Sequence, residues 1–161
     1  DAANVDLKGF DEERHKRRTG ASIEPVKRNI RLMKEMGIWV EVTTLIIPTE
    51  NDSYDELRAV AGFLASVDPG IPWHVSAFHP TYKMTNLPRT PVSTILRACK
   101  IGKDEGLRYV YGGNVTGADC ENTRCYGCGA LVIKRWGFEV AENNLRDGAC
   151  PKCGAKIDGV F

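Results

Sequence analysis

Two short runs, CYGCGA at residues 125–130 and CPKCGA at residues 150–155, constrain this chain more than anything else in it. In each, two thiols flank two residues and a glycine follows. Such a turn aims backbone amides at the sulfur atoms, and the glycine supplies the positive φ that the turn requires. Two knuckles about twenty residues apart can close a tetrahedral site of four sulfurs, which suits Zn²⁺ and can also hold a single iron. Cys125, Cys128, Cys150 and Cys153 are therefore expected to bind one ion, zinc. A closed site of this kind leaves no position for a substrate, so its expected role is structural. Between the knuckles, residues 130–135 read as a strand, 136–137 as a turn and 138–141 as a returning strand, the layout of a zinc ribbon.

Two further cysteines need separate treatment. Cys120 stands five residues before Cys125 and creates a Cx4Cx2C run, the ligand spacing of some iron–sulfur proteins. Because Cys125 and Cys128 pair with Cys150 and Cys153, Cys120 is expected to be a loop thiol. Cys99 falls on an apolar helix face and is expected in the core.

The chain has 161 residues, 42% of them hydrophobic, enough for one compact domain with a small appendage. A net charge of +1 gives no reason to expect nucleic acid or a membrane surface as partner. The locally basic run 12–18 reads as a solvated surface turn. No apolar stretch approaches the roughly 20 residues that span a bilayer, and the opening residues do not read as a charged-then-apolar leader, so a soluble protein is the expectation. CxxC pairs of this type favour metal ligation in a reducing compartment, so the expected location is cytoplasmic. The opening at Asp1, straight into an apolar stretch, reads as a piece of something longer.

Upstream of the knuckles, strand and helix signals alternate. Residues 3–7 read as a buried strand. Ser22 can cap a helix with Pro25 in its first turn, with Val26, Ile30 and Met33 on one face and Gly37 at its end. Residues 38–47 form an apolar, β-branched run stopped by Pro48. Ser53 and Glu56 make a capping-box pattern before the stripe Leu57, Val60, Ala61 and Leu64. Residues 73–78 read as a strand, Thr90-Pro91 starts a helix running to Gly106, and 107–111 read as a fourth strand. One helix per crossover implies parallel strands with right-handed connections. Residues 1–112 are thus expected to be α/β, and from Gly112-Gly113 a second module, 113–161, is expected to begin.

In parallel α/β folds, ligands gather at the carboxyl ends of the strands. Those positions here carry Asp6 and Lys8, Thr43 and Thr44, the loop 48–52, His79 with Tyr82 and Lys83, and Asn114 with Thr116. Polar groups from four distant segments would therefore meet at one rim.

The stretches DAANVDLKGF, EVTTLIIPTENDS, HVSAFHPTYKM and RYVYGGNV, followed by CYGCGALVIKR, resemble the C-terminal half of a radical SAM enzyme of the pyruvate formate-lyase activating type. The closer resemblance is to the radical SAM component of the AmmeMemoRadiSam system, whose tail carries two such knuckles. The resemblance implies that residues 1–112 are the C-terminal part of a partial (β/α)6 barrel. It implies that Asp6 and Lys8, as a D-x-K motif, and His79 approach S-adenosylmethionine, with Tyr82 and Lys83 completing the motif around His79. Thr43 stands where activating enzymes place an arginine that meets the cofactor carboxylate. A CxxxCxxC loop for a [4Fe–4S] cluster does not occur in these 161 residues. The resemblance places that loop upstream, so S-adenosylmethionine and the cluster are expected in a full-length parent only, acting on a protein or small-molecule substrate. By itself the chain is then expected to be inactive. With part of the barrel absent, dimerisation through the open edge of the first strand is also an expectation.

Two other functions compete. A zinc ribbon on an α/β support could dock a protein partner with no chemistry of its own. A rubredoxin-like electron carrier would need iron in the four-cysteine site. Few basic residues alternate with aromatic ones around the knuckles, which argues against nucleic acid.

Overall fold

The computed structural model describes residues 1–115, 119–137 and 139–160. Its centre is a four-stranded parallel sheet, β1 (Ala2–Asp6), β2 (Trp39–Ile46), β3 (Trp73–Ala77) and β4 (Val110–Gly113), in the order β1-β2-β3-β4. Period-two alternation gives the sheet two different faces. Val40, Val42, Thr44 and Ile46 of β2 are buried on one face, while Trp39, Glu41, Thr43 and Leu45 are only partly covered on the other. The helices pack on the first face, where Ile30, Leu57, Leu64, Trp73, Ile95 and their neighbours make one apolar cluster. The expected parallel α/β layer is therefore present, with an open second face.

Four helices connect the strands: α1 (Glu12–Thr19), α2 (Glu24–Glu35), α3 (Tyr54–Val67) and α4 (Val92–Asp104). The basic run read as a surface turn is α1. It has no broad apolar stripe, and its ends are what define it. The Asp11 carboxylate accepts from the Arg14 amide at 2.8 Å, and Gly20 closes it at φ 77°. Ser53 caps α3 as expected, accepting from the Glu56 amide at 3.3 Å. The Glu56 side chain does not complete a capping box. It reaches instead to the amides of Phe10 and Asp11 and fixes the loop that leaves β1.

The fourth strand begins three residues later than expected and includes both glycines that were read as a boundary. A Cβ at Gly112 would lie 2.3 Å from Cys120 Sγ, and one at Gly113 would lie 2.5 Å from Ser76 Oγ. These glycines are needed for close approach inside the sheet.

Beyond β4, a smaller antiparallel sheet has the order β5-β6-β7, with β5 (Thr123–Arg124), β6 (Leu131–Trp136) and β7 (Glu139–Asn143). The ribbon hairpin is β6-β7, and the two-residue β5 was not anticipated. Phe138, expected to open the returning strand, and Thr116, expected at the rim, lie outside the described residues. A second apolar cluster joins Tyr109 to Cys125, Val132, Ile133, Cys150 and Ile157. The ribbon thus packs on β4 and the residue before it. Among the described residues, no helix is long and apolar enough to cross a membrane.

Candidate cofactor cleft and metal centre

Each knuckle is a tight turn with the same bonds. The Gly129 amide donates to the Cys125 carbonyl at 2.8 Å, and the Gly154 amide donates to the Cys150 carbonyl at 2.9 Å. Both glycines have positive φ, 72° and 75°, in the left-handed region where a Cβ is strained. The knuckles bring the sulfurs of Cys125, Cys128, Cys150 and Cys153 within 4.8 Å of one another. Cys125 and Cys153 are 3.5 Å apart at sulfur, and Cys128 and Cys150 are 3.7 Å apart. A tetrahedron with Zn–S bonds of about 2.3 Å has S···S edges of roughly 3.8 Å. The donor set therefore fits one tetrahedral ion, and the four-cysteine group expected from the sequence is assembled.

Cys120 takes no part in it. It lies in the turn before β5, a loop thiol as expected, and is buried at 6% exposure with Cys99 in the main core cluster. Hydrogen bonding with Cys120, together with burial, pushes the Cys99 thiol up.

On the open face of the sheet, the parallel register aligns one residue from each strand. Asp6 lies beside Thr43, Thr43 beside His74, and His74 beside Tyr111. The expected rim residues Asp6 and Thr43 thus share a row with two residues that the sequence reading passed over. A cleft of about 1330 Å³ lies over this face and includes Thr43, His74, His79, Tyr111 and Asn114 in its walls. Asp6 and Lys8 form a 2.9 Å ion pair, exposed and outside the cleft lining. Tyr82 and Lys83 are exposed on the loop after β3 and also lie outside the lining. Thr44 points away, into the covered face, where its hydroxyl donates to the Leu7 carbonyl at 2.9 Å and accepts from Trp73 Nε1 at 2.9 Å.

The loop carrying Asp6 and Lys8 is held by its backbone. The Leu7 amide donates to the Thr43 carbonyl, and the Lys8 carbonyl accepts from Arg18 and from Asn51 Nδ2. Asn51 is 1% exposed and also bonds the Leu45 carbonyl and the Ile47 amide, so it ties the exit loops of β1 and β2 together. Those loops therefore present their side chains from a fixed frame.

Sequence reasoning missed a polar network deeper in the cleft. Glu41 Oε2 and His74 Nε2 are 2.7 Å apart, and Trp39 Nε1 donates to Glu41 Oε1 at 3.0 Å. The bond to His74 holds the Glu41 carboxyl below the usual carboxylate range. The His74 and Tyr111 rings are 5.4 Å apart, and the Arg135 guanidinium from β6 lies 5.4 Å from the Tyr111 ring centre. Burial pushes the Tyr111 hydroxyl up. The available signal was the alternation itself: Glu41 and Thr43 in WVEVTTLI, and His74 and Ser76 in WHVSA, occupy the positions opposite the core residues.

Residues 1–64, which contain β1, β2 and most of α3, match the family model of the radical SAM superfamily. The first part of the α/β layer is thus similar to the radical SAM superfamily. A crystal structure of a domain of pyruvate-formate lyase-activating enzyme from Bacteroides vulgatus superposes with a TM-score of 0.61 over 70% of this chain and 67% of that chain. At 20% identity, this likeness to the activating-enzyme domain is one of fold. An uncharacterized protein of Methanocaldococcus jannaschii is 44% identical across 100% of this chain, which spans 49% of that relative's length.

Proposed function

We propose that this chain forms the cofactor rim and part of the substrate cleft of a radical SAM enzyme resembling the glycyl-radical activating enzymes. The observation that carries this reading is the lateral row Asp6–Thr43–His74–Tyr111, in which Asp6 stands outside the cleft lining while Thr43, His74 and Tyr111 line the cleft with His79. Lys8 and Asp6 offer one charge of each sign to the zwitterionic methionine end of S-adenosylmethionine. Thr43 donates its hydroxyl to Asn4 Oδ1 at 3.1 Å and so presents oxygen lone pairs. His79 presents a ring nitrogen. The cleft exceeds the roughly 300–1,000 Å³ typical of a single small-molecule site, which leaves room for substrate beside the cofactor.

The cysteines of this chain do not suit the [4Fe–4S] cluster. Four are committed to the ribbon site and the remaining two are buried in the core. In this reading the cluster is held by other residues of a longer protein, and the bound cofactor and cluster would supply homolytic carbon–sulfur cleavage and hydrogen-atom abstraction. The residues described here bind, orient and enclose. The ribbon ion is zinc and structural, and a reducing, cytoplasmic setting suits its free thiolates.

The test uses a longer protein that contains this chain and a cluster loop. Lys8→Ala or His79→Ala should lower cleavage of S-adenosylmethionine by about 10-fold or more while leaving the cluster absorbance intact. The 161 residues alone should form no 5′-deoxyadenosine with dithionite. Cleavage by the chain alone, or unaltered cleavage in both variants, would overturn the reading.

A further inference from the structure

We propose that the cleft between the parallel sheet and the ribbon binds a small organic anion, a carboxylate or a phosphate, on the guanidinium of Arg135. This goes beyond the radical SAM reading and does not depend on it.

Arg135 is half-buried and stands in the cleft wall, yet among the described residues no carboxylate lies within ion-pair distance of it. Arg18, Arg58, Arg108 and Arg124 each hold a carboxylate at 3.2 Å or less, whereas Arg89, the other arginine in the cleft wall, is exposed and donates only to the Asn114 carbonyl. A partly desolvated guanidinium without a counter-ion is costly unless a ligand supplies the charge.

The side chain is nevertheless fixed in place. Its Nη1 donates to Thr123 Oγ1 at 2.6 Å and to the Glu121 carbonyl at 3.4 Å. The Thr123 hydroxyl also meets the Tyr111 hydroxyl at 2.8 Å, and the guanidinium lies near the Tyr111 ring. One edge of the fork is thus anchored, and the other has no carboxylate to bind.

Neighbouring carboxylates do not pair directly with this fork, although its charge helps to hold the Glu41 carboxyl down. Glu41 is engaged by His74 and Trp39, Asp158 by Arg108 and Tyr109, and Glu121 by the Gly137 amide. Asp1 aside, every carboxylate lining the cleft already has a partner. The planar fork of arginine matches carboxylate and phosphate oxygens in pairs. The adjacent His74 and Tyr111 rings form a flat wall against which a planar substituent can stack.

Benzoate and phenyl phosphate, with benzamide as a neutral control, test this on the metal-loaded protein by NMR titration at low salt. At least one anion should bind with a Kd on the order of 1 mM, and benzamide should bind about 10-fold more weakly or worse. Arg135→Gln should weaken anion binding by about 10-fold or more, and Arg135→Lys by less, because a point charge remains without the fork. Arg124→Gln, a change at a ribbon arginine already paired with Asp119, should bind as the parent does. Each variant is compared at equal metal content. If Arg135→Gln sheds its metal, Arg135→Lys decides. Whichever anion binds more tightly identifies the ligand as carboxylate or phosphate. Equal binding of benzamide, unaltered affinity in both Arg135 variants, or no binding up to about 20 mM would overturn the proposal.

Discussion

The two sheets of this molecule are held together by different means. The parallel sheet has a continuous apolar cluster on its covered face, with Trp73, Leu57, Leu64, Ile30 and Ile95 fully buried. The ribbon's cluster has six buried members, of which two are metal-site cysteines and one, Tyr109, is borrowed from the segment leading into β4. β7 is exposed along its whole length. A sheet so poor in apolar contacts cannot offset its chain entropy by burial alone. The first region is a conventional core, and the second is a coordination site with a thin apolar lining.

Metal removal should have the largest effect and tests that contrast directly. Structural zinc in small modules contributes binding energy of about 10–16 kcal/mol, so chelation should collapse the amide signals of β5, β6 and β7. The parallel sheet should remain folded, as read by amide exchange in β2 and β3. Concerted loss of both regions would show that the ribbon supports the sheet. Metal analysis of the untreated protein should find close to one zinc per chain, and Cys150→Ser should release it.

The converse experiment alters the other core. Trp73→Ala removes a fully buried indole that also donates to Thr44 at 2.9 Å, and should cost about 3–5 kcal/mol. Denaturant unfolding should shift accordingly, while metal content stays near one per chain. A smaller effect follows from Glu56→Ala, which frees the Phe10 and Asp11 amides after the Lys8 loop. About 1–3 kcal/mol of stability should be lost, with exchange accelerated first at those amides.

The smallest expected effect is pH-dependent. Glu41 has a folded-state pKa lowered by His74, so its contribution is present above its ordinary pKa of 4.5 and is lost as pH falls through the folded value. The group is about a third exposed at its side chain, so solvent screening limits the contribution to about 1 kcal/mol. Glu41→Gln should therefore lower the melting temperature at pH 7, and the gap to the parent should close below about pH 4.5. A gap independent of pH would assign Glu41 a packing role only.

What the sequence disclosed and concealed follows the same division. The parallel layer was legible because β-branched runs and capped apolar stripes alternate along the chain, and the metal group because CxxC spacing is local. α1 was concealed because it lacks a broad apolar stripe and is defined by Asp11 and Gly20 at its ends. β5 is two residues long and has no periodicity to read. The Glu41–His74–Tyr111–Arg135 network joins four segments across two sheets. Each member alone is an ordinary polar residue in a strand, and only register and packing bring them together. Asp6 was read at the rim because it ends the first strand and Thr43 was singled out through the family resemblance, whereas His74 and Tyr111 had neither signal and enter only through the register of β3 and β4.

Gly112 links the two regions in a way that bears on how such sequences can diverge. Its missing side chain is the space occupied by Cys120 Sγ, 2.3 Å from where a Cβ would stand, with a methyl of Ile95 at 3.0 Å. The Gly112 amide also donates to the Cys120 carbonyl at 2.9 Å, so the two backbones cannot easily separate. The two positions are therefore not independent. In homologous sequences, a side chain at 112 should occur only with a smaller residue at 120, and drift at either site should wait on its partner.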